Sequence, residues 1–160
     1  MNKQEVYQYL EQNNIEYEAV EHKAVFCMAD LDDLDLPYSD GEAKNLFVRD
    51  DKKQGYYLIT VKGDKRVQLK EFRKRHNLRA LSFASAEELH MILGVIPGAV
   101  TPLSLLNDTD HQVCFYLDQE FVGERIAVHP NDNTATVWMQ ANDLLNLIQE
   151  HGNLAEYVEM

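Results

Sequence analysis

Between Gly94 and Thr109 the chain reads Gly-Val-Ile-Pro-Gly-Ala-Val-Thr-Pro-Leu-Ser-Leu-Leu-Asn-Asp-Thr, a stretch with the backbone of a loop and the side chains of a core. It holds two of the chain's four prolines and two of its seven glycines, interleaved with Val, Ile and Leu. Glycine opens positive φ to the backbone, whereas proline fixes φ and removes an N–H donor. A rigid, partly buried turn follows, with its remaining amides free to point at a ligand. The same features suit a packed structural turn, and composition does not choose between the two.

The rest of the chain must build a scaffold around this turn. Asn2 followed by Glu5 resembles a capping box, and Val6, Tyr9, Leu10 and Asn13 at helical spacing predict a helix over 3–13. Alternation from Ile15 to Glu21 predicts a strand. Asp30 to Pro37 alternates acid with leucine and reads as an acidic loop or short helix; it lacks the central glycine and closing glutamate of a calcium loop. Lys44 to Asp50 and Tyr56 to Val61, β-branched and aromatic around a charged turn, read as a hairpin, with Lys44 at its leading edge. A basic helix is expected over 69–76 with Leu69, Phe72 and His76 inward, then a short strand over 81–83. Ser85 and Glu88 form a capping box, and the helix it opens stops at Gly94. Strands follow over 113–117, 125–129 and 135–139, with turn chemistry at Pro130 to Asn133 and a closing helix from Ala141 to His151. The pattern is α+β: one domain, with a sheet more antiparallel than parallel.

At 160 residues the chain suits one domain with a real core. No apolar run approaches the roughly 20 residues of a membrane span, and Met1 to Glu5 lacks a signal-peptide pattern, so a cytoplasmic protein is expected. Cys27 and Cys114 form no disulfide framework and no ligand pair, and read as two buried thiols. The net charge of −12 argues against general nucleic-acid or DNA binding. Its distribution is uneven, however. Ten of the 15 Lys and Arg fall between Lys52 and Arg79, whereas Arg125 alone serves residues 81–160. Such a concentration suits phosphate contacts, and equally a solvated face that relieves the acidic remainder.

The six histidines show no i,i+2 or i,i+4 pairing, and there is no P-loop and no nucleophile elbow. No metal is indicated. Lys44 at a strand entrance, the glycine–proline loop, and His129 before Pro130 remain. Taken singly, His129 reads more readily as structural and Lys44 as a solvated cation, while the loop stays open between the two readings.

Together they carry a resemblance. Glu42 to Asp50, Gly94 to Pro102 and Val128 to Thr134 resemble the YbaK/prolyl-tRNA synthetase editing-domain superfamily, in order and over essentially the whole chain. Within it, the chain is similar to free-standing prolyl-tRNA-editing deacylases. The resemblance implies an α/β fold around a mixed, mostly antiparallel, partly barrel-like sheet surrounded by helices, spanning 1–160 as one editing domain. It implies no cofactor, and hydrolysis of the ester joining alanine to proline tRNA. Cysteine or another small amino acid, or a non-catalytic RNA- or synthetase-binding module on the same fold, are the alternatives. Lys44 matches the lysine at the family's active-site mouth, Gly98-Ala99-Val100-Thr101-Pro102 its G-x-x-x-P loop, and His129 a pocket histidine. Gly98 is thereby expected to act with Lys44 and His129, and Ala99 to Pro102 to bind substrate. Lys70, Arg73 and Lys74 are expected to approach tRNA. Aminoacylated proline tRNA is the implied partner, with prolyl-tRNA synthetase a further one, and no membrane or DNA.

Overall fold

The computed structural model describes residues 1–24, 41–63 and 65–160. The acidic stretch at Asp30 to Pro37 and Cys27 lie outside them. Asn2 caps α1 (Lys3–Gln12): its carboxamide oxygen accepts from Glu5 N, while the Glu5 carboxylate accepts from Asn2 N. Val6 and Leu10 are the buried stripe of that helix. Next come β1 (Tyr17–Glu21) and the hairpin of β2 (Ala43–Asp50) and β3 (Tyr56–Lys62), registered from Ala43 opposite Lys62 to Arg49 opposite Tyr56. Asp50 closes the hairpin turn, its carboxylate accepting from the amides of Lys52, Gln54 and Gly55.

Further along are α2 (Leu69–Arg75), β4 (Leu81–Phe83) and α3 (Ala86–Leu93). The Ser85–Glu88 capping box forms, and Gly94 ends α3 in the left-handed region at φ 70°. Then come β5 (Val113–Asp118), β6 (Arg125–Val128), β7 (Ala135–Gln140), α4 (Ala141–His151) and β8 (Ala155–Val158). Three elements lie beyond the expectation from sequence, one of them a single 3-10 turn at Gln119–Phe121. Residues Pro102–Asn107 wind into a 3-10 helix, begun by Thr101 as cap and Pro102 in the first turn. The short strand β8 pairs parallel to β5, and four residues after a helix-ending glycine carry too little alternation to announce it.

The strands form two sheets. One is antiparallel in the order β1-β7-β6; the other runs β4-β2-β3-β5-β8, antiparallel as far as β3 and parallel beyond it. Antiparallel pairings therefore predominate, as expected, but no closed barrel forms among the described residues. The main core, including Val6, Leu10, Phe47, Leu58, Leu103, Phe115 and Leu144, fills the space between the sheets and α1, α3 and α4. A second cluster of Leu46, Val48, Ile59, Val61 and Val158 is covered by Phe72 of α2, against whose ring His76 packs.

Gly41 joins the two sheets just before β2. Its carbonyl accepts from Ala127 N of β6 at 2.8 Å, and its φ is +88°. A Cβ there would sit 3.2 Å from Ala127 N and 3.3 Å from Arg125 O, both backbone atoms of a strand. Gly41→Ala should therefore destabilise the fold by about 1–3 kcal/mol, read as a lower urea midpoint. An unchanged midpoint would mean that this junction does not constrain the sheets.

Candidate active site

The opening loop is built by its own sequence. Pro97 and Gly98 occupy the second and third positions of a tight turn, Gly98 at φ 92°, and Ala99 N donates to Ile96 O at 3.0 Å. This is the proline–glycine chemistry of a type II turn. Ile96 and Pro97 are exposed, whereas Ala99 turns into the core. The Ala99 amide is thus engaged within the turn. Among the described residues, the amides of Gly98, Val100 and Thr101 have no acceptor.

Two side chains lock the loop in place. Thr101 is fully buried, and its hydroxyl donates to the His129 carbonyl at 2.6 Å while accepting a long bond from Leu103 N at 3.4 Å. The Thr101 carbonyl accepts from the Ser104 hydroxyl at 2.5 Å. From the other side, Asn45 Nδ2 donates to Val100 O at 3.2 Å, and Asn45 Oδ1 accepts from the Thr60 hydroxyl at 2.6 Å. The structure therefore brings the loop together with His129 on one flank and with β2 on the other. Pro102 and Leu103 to Leu106 are buried, so the second half of the stretch is core.

Lys44 sits one residue from this contact, opposite Val61 of β3. Strand alternation places it with Leu46 and Val48, on the opposite face of β2 from Asn45. Its ammonium makes no hydrogen bond or ion pair among the described residues. Only its long stem can bring that charge around the strand to the loop side. Asn45 is the residue that sequence reasoning passed over. The signal was a carboxamide at the inward position between Ala43 and Phe47, where strand alternation calls for an apolar side chain.

His129 is half-buried, and its Nδ1 lies 2.9 Å from the Ala135 carbonyl. A carbonyl only accepts, so Nδ1 carries the proton and Nε2 is left as an acceptor. The His22 ring stands 6.4 Å away, edge-on, with its Nδ1 against Lys23 O and its Nε2 receiving the Thr136 hydroxyl. Burial pushes the His129 pKa down, as does the neighbouring His22. The Ala135 bond and the Asp132 carboxylate oppose both, and the net direction is down. His129 is thus neutral near pH 7.

A histidine with a lowered native pKa costs stability once the unfolded chain protonates below its ordinary value of about 6.5. Stability should decline from pH 7 towards pH 5, and His129→Asn, which preserves a donor to Ala135, should flatten that decline. The difference in slope is at most about 1.4 kcal/mol per pH unit. Identical slopes in pH-dependent urea unfolding would contradict the assignment.

The basic segment is divided. Lys62 pairs with Glu124, Lys65 bonds Asp118 and Glu120 at 2.6 Å each, Arg75 approaches Glu159 at 3.7 Å, and Arg79 clasps Asp51 at 2.6 Å. These cations offset neighbouring acids. On α2, Lys70 and Lys74 are exposed and unpaired among the described residues. Arg73 is half-buried and reaches the Leu78 carbonyl only at 3.5 Å. No group of three His, Cys, Asp or Glu among the described residues could hold a metal. Cys114 is a free, half-buried thiol, its pKa raised by burial. No helix among the described residues is long and apolar enough to cross a membrane.

The family model of the aminoacyl-tRNA editing domain matches residues 22–147, which span all three motifs. The chain is 35% identical over 159 residues to the prolyl-tRNA editing protein ProX of Acetoanaerobium sticklandii, covering 99% of this chain and 97% of that protein. It is 33% identical over 144 residues to the prolyl-tRNA synthetase associated domain-containing protein 1 of Bos taurus, covering 87% and 84%. A solved structure described as a candidate trans-editing enzyme for prolyl-tRNA synthetase superposes with a TM-score of 0.73 at 20% identity, covering 99% of this chain and 96% of that one. At that identity the likeness speaks for the fold alone.

Proposed function

The chain belongs to the aminoacyl-tRNA editing domain family, and from that premise we propose that it is a free-standing deacylase that hydrolyses alanine mischarged onto proline tRNA. Residues 1–160 act as one editing domain, with proline tRNA as the partner and prolyl-tRNA synthetase as the enzyme whose errors it corrects. The observation that carries the reading is the convergence of three distant segments. Thr101 binds the loop to His129, and Asn45 binds it to β2 beside Lys44. ProX, related over nearly the full length of both chains, is named for prolyl-tRNA editing, which supports the substrate.

The chemistry asks little of side chains. An aminoacyl ester is already activated, so hydrolysis needs a positioned water and a stabilised oxyanion. The amides of Gly98, Val100 and Thr101 are the donors for that oxyanion, each worth about 10²- to 10³-fold in rate. The 2′-hydroxyl of the terminal ribose orients the water, which accounts for the lack of an obvious nucleophile among the described residues. Lys44 holds the phosphate or sugar of the terminal adenosine, and His129 presents neutral Nε2 to the substrate. Lys70 and Lys74, with Arg73, meet the acceptor stem, while the acidic remainder keeps the encounter brief. A proline-activating site discriminates poorly against the smaller alanine, since each missing methylene is worth only about 1–3 kcal/mol; a second, smaller pocket restores accuracy.

The test is the hydrolysis of proline tRNA carrying alanine, cysteine or proline, each with a terminal ribose or 2′-deoxyribose. Alanine on ribose should be released fastest, and proline slowest. Cysteine released faster than alanine would reassign the amino acid. Undiminished hydrolysis of the deoxy substrate would remove the 2′-hydroxyl from the mechanism.

A further inference from the structure

The turn between β6 and β7 carries more than His129. Its polar groups are nearly all engaged. Asp132 Oδ1 accepts from the amide and hydroxyl of Thr134, Lys3 Nζ donates to Thr134 Oγ1 at 3.1 Å, and Asn131 Nδ2 donates to Met1 O at 3.0 Å. Asn133 is the exception that matters. It is only 8% exposed, and its Nδ2 is shut off from solvent with no hydrogen-bond partner among the described residues. Asn131 Oδ1 also lacks a partner, but its carboxamide is directed through Nδ2 at the N-terminus.

A buried amide N–H without an acceptor opposes folding, and native proteins keep few of them. The turn does not need this one, because Asp132, Thr134 and the His129–Ala135 bond already fix it. A donor that costs the free protein and does nothing for the turn makes sense if a ligand completes it. We infer that Asn133 contacts substrate, its Nδ2–H donating to an acceptor oxygen of the bound aminoacyl-adenosine terminus. The inference rests on the deacylase reading and deepens it. The turn then offers a complementary pair: His129 Nε2 accepts, and Asn133 Nδ2 donates. Two oxygens of the substrate have the required chemistry, the carbonyl of the aminoacyl group and a ribose hydroxyl. A bond to a group that gains charge during reaction strengthens in the transition state, so a carbonyl contact would raise turnover as well as affinity.

The experiment uses Asn133→Ala and Asn133→Asp, both of which remove the donor. Each is assayed for alanyl-tRNA(Pro) deacylation, thermal midpoint, and binding of adenosine and of 3′-deoxy-3′-(L-alanylamino)adenosine, a non-hydrolysable amide. In Asn133→Ala the thermal midpoint should be unchanged or higher, while kcat/KM falls by about tenfold or more. Weaker binding of the alanylamino compound alone assigns the acyl carbonyl, and weaker binding of both compounds assigns the ribose. A stable Asn133→Ala with wild-type kcat/KM and wild-type binding of both compounds overturns the inference and leaves the deacylase reading intact. A wild-type protein that hydrolyses no ester overturns the deacylase reading instead. The Asn133 contact then stands only if the wild type binds a compound that Asn133→Ala binds about tenfold more weakly, and falls if it binds neither.

Discussion

Lys44→Ala is expected to reduce alanyl-tRNA(Pro) deacylation by about 10²-fold or more while shifting unfolding stability by no more than about 0.5 kcal/mol. The separation of the two effects is the point. Lys44 is half-buried at the start of β2, opposite Val61, and its ammonium has no partner among the described residues. Among the described residues, truncation therefore breaks no bond and strands no buried group. A cation one residue from the Asn45–Val100 contact, with no counter-charge among the described residues, is available to phosphate or to developing negative charge once its stem carries it round the strand. A charge-assisted hydrogen bond alone is worth about 1.5–3 kcal/mol, or roughly 10- to 150-fold. Lys44→Met, which preserves the stem, should behave like Lys44→Ala. Lys44→Arg should recover only part of the rate, because a planar fork does not replace a compact ammonium. If Lys44→Ala instead lost stability in proportion to activity, the residue would be structural.

Thr101→Val should have the largest combined effect. Valine reproduces the shape of threonine but leaves the His129 carbonyl without its 2.6 Å donor and the Leu103 amide without its acceptor, inside a fully buried site. Unsatisfied buried groups cost about 1–3 kcal/mol, so the midpoint of unfolding should fall measurably. Activity should fall further than stability explains, by about tenfold or more under conditions where the variant is folded. The loop amides would lose their registration to His129, and small displacements are costly in a positioned site. Thr101→Ser, with its hydroxyl intact, should retain most of both properties. Full activity in a stable Thr101→Val would show that the link to His129 is packing without function.

What could be read from the sequence follows where the signals are local. The capping boxes at Asn2–Glu5 and Ser85–Glu88, the hairpin of β2 and β3, and the helix stop at Gly94 all depend on residues within a few positions of one another, and all form as expected. The turn at Pro97-Gly98 is equally local. Its placement is not. That Thr101 would turn its hydroxyl away from any ligand to hold the His129 carbonyl depends on tertiary packing, as does the 3-10 winding that buries Leu103 to Leu106. Strand β8 is legible only once β5 is there to pair with it. Charge is half legible: ten cations in thirty residues suggest a phosphate surface, yet Lys62, Lys65 and Arg75 have acidic partners from distant segments, and Arg79 pairs with Asp51 at the other end of its own. The motif residues themselves were visible. Asn45 stands among them without a legible role, because a role for a carboxamide in a strand appears only when Val100 O is brought against it.

The central claim is that this loop is the cradle of an editing deacylase, and the most direct measurement is the single-turnover release of alanine from alanyl-tRNA(Pro) with the protein in excess. Release should be far faster than spontaneous hydrolysis in matched buffer, and should return to near the buffer rate with Lys44→Ala. Release at the buffer rate by the folded wild-type protein, from this ester and from its cysteinyl counterpart, would contradict it.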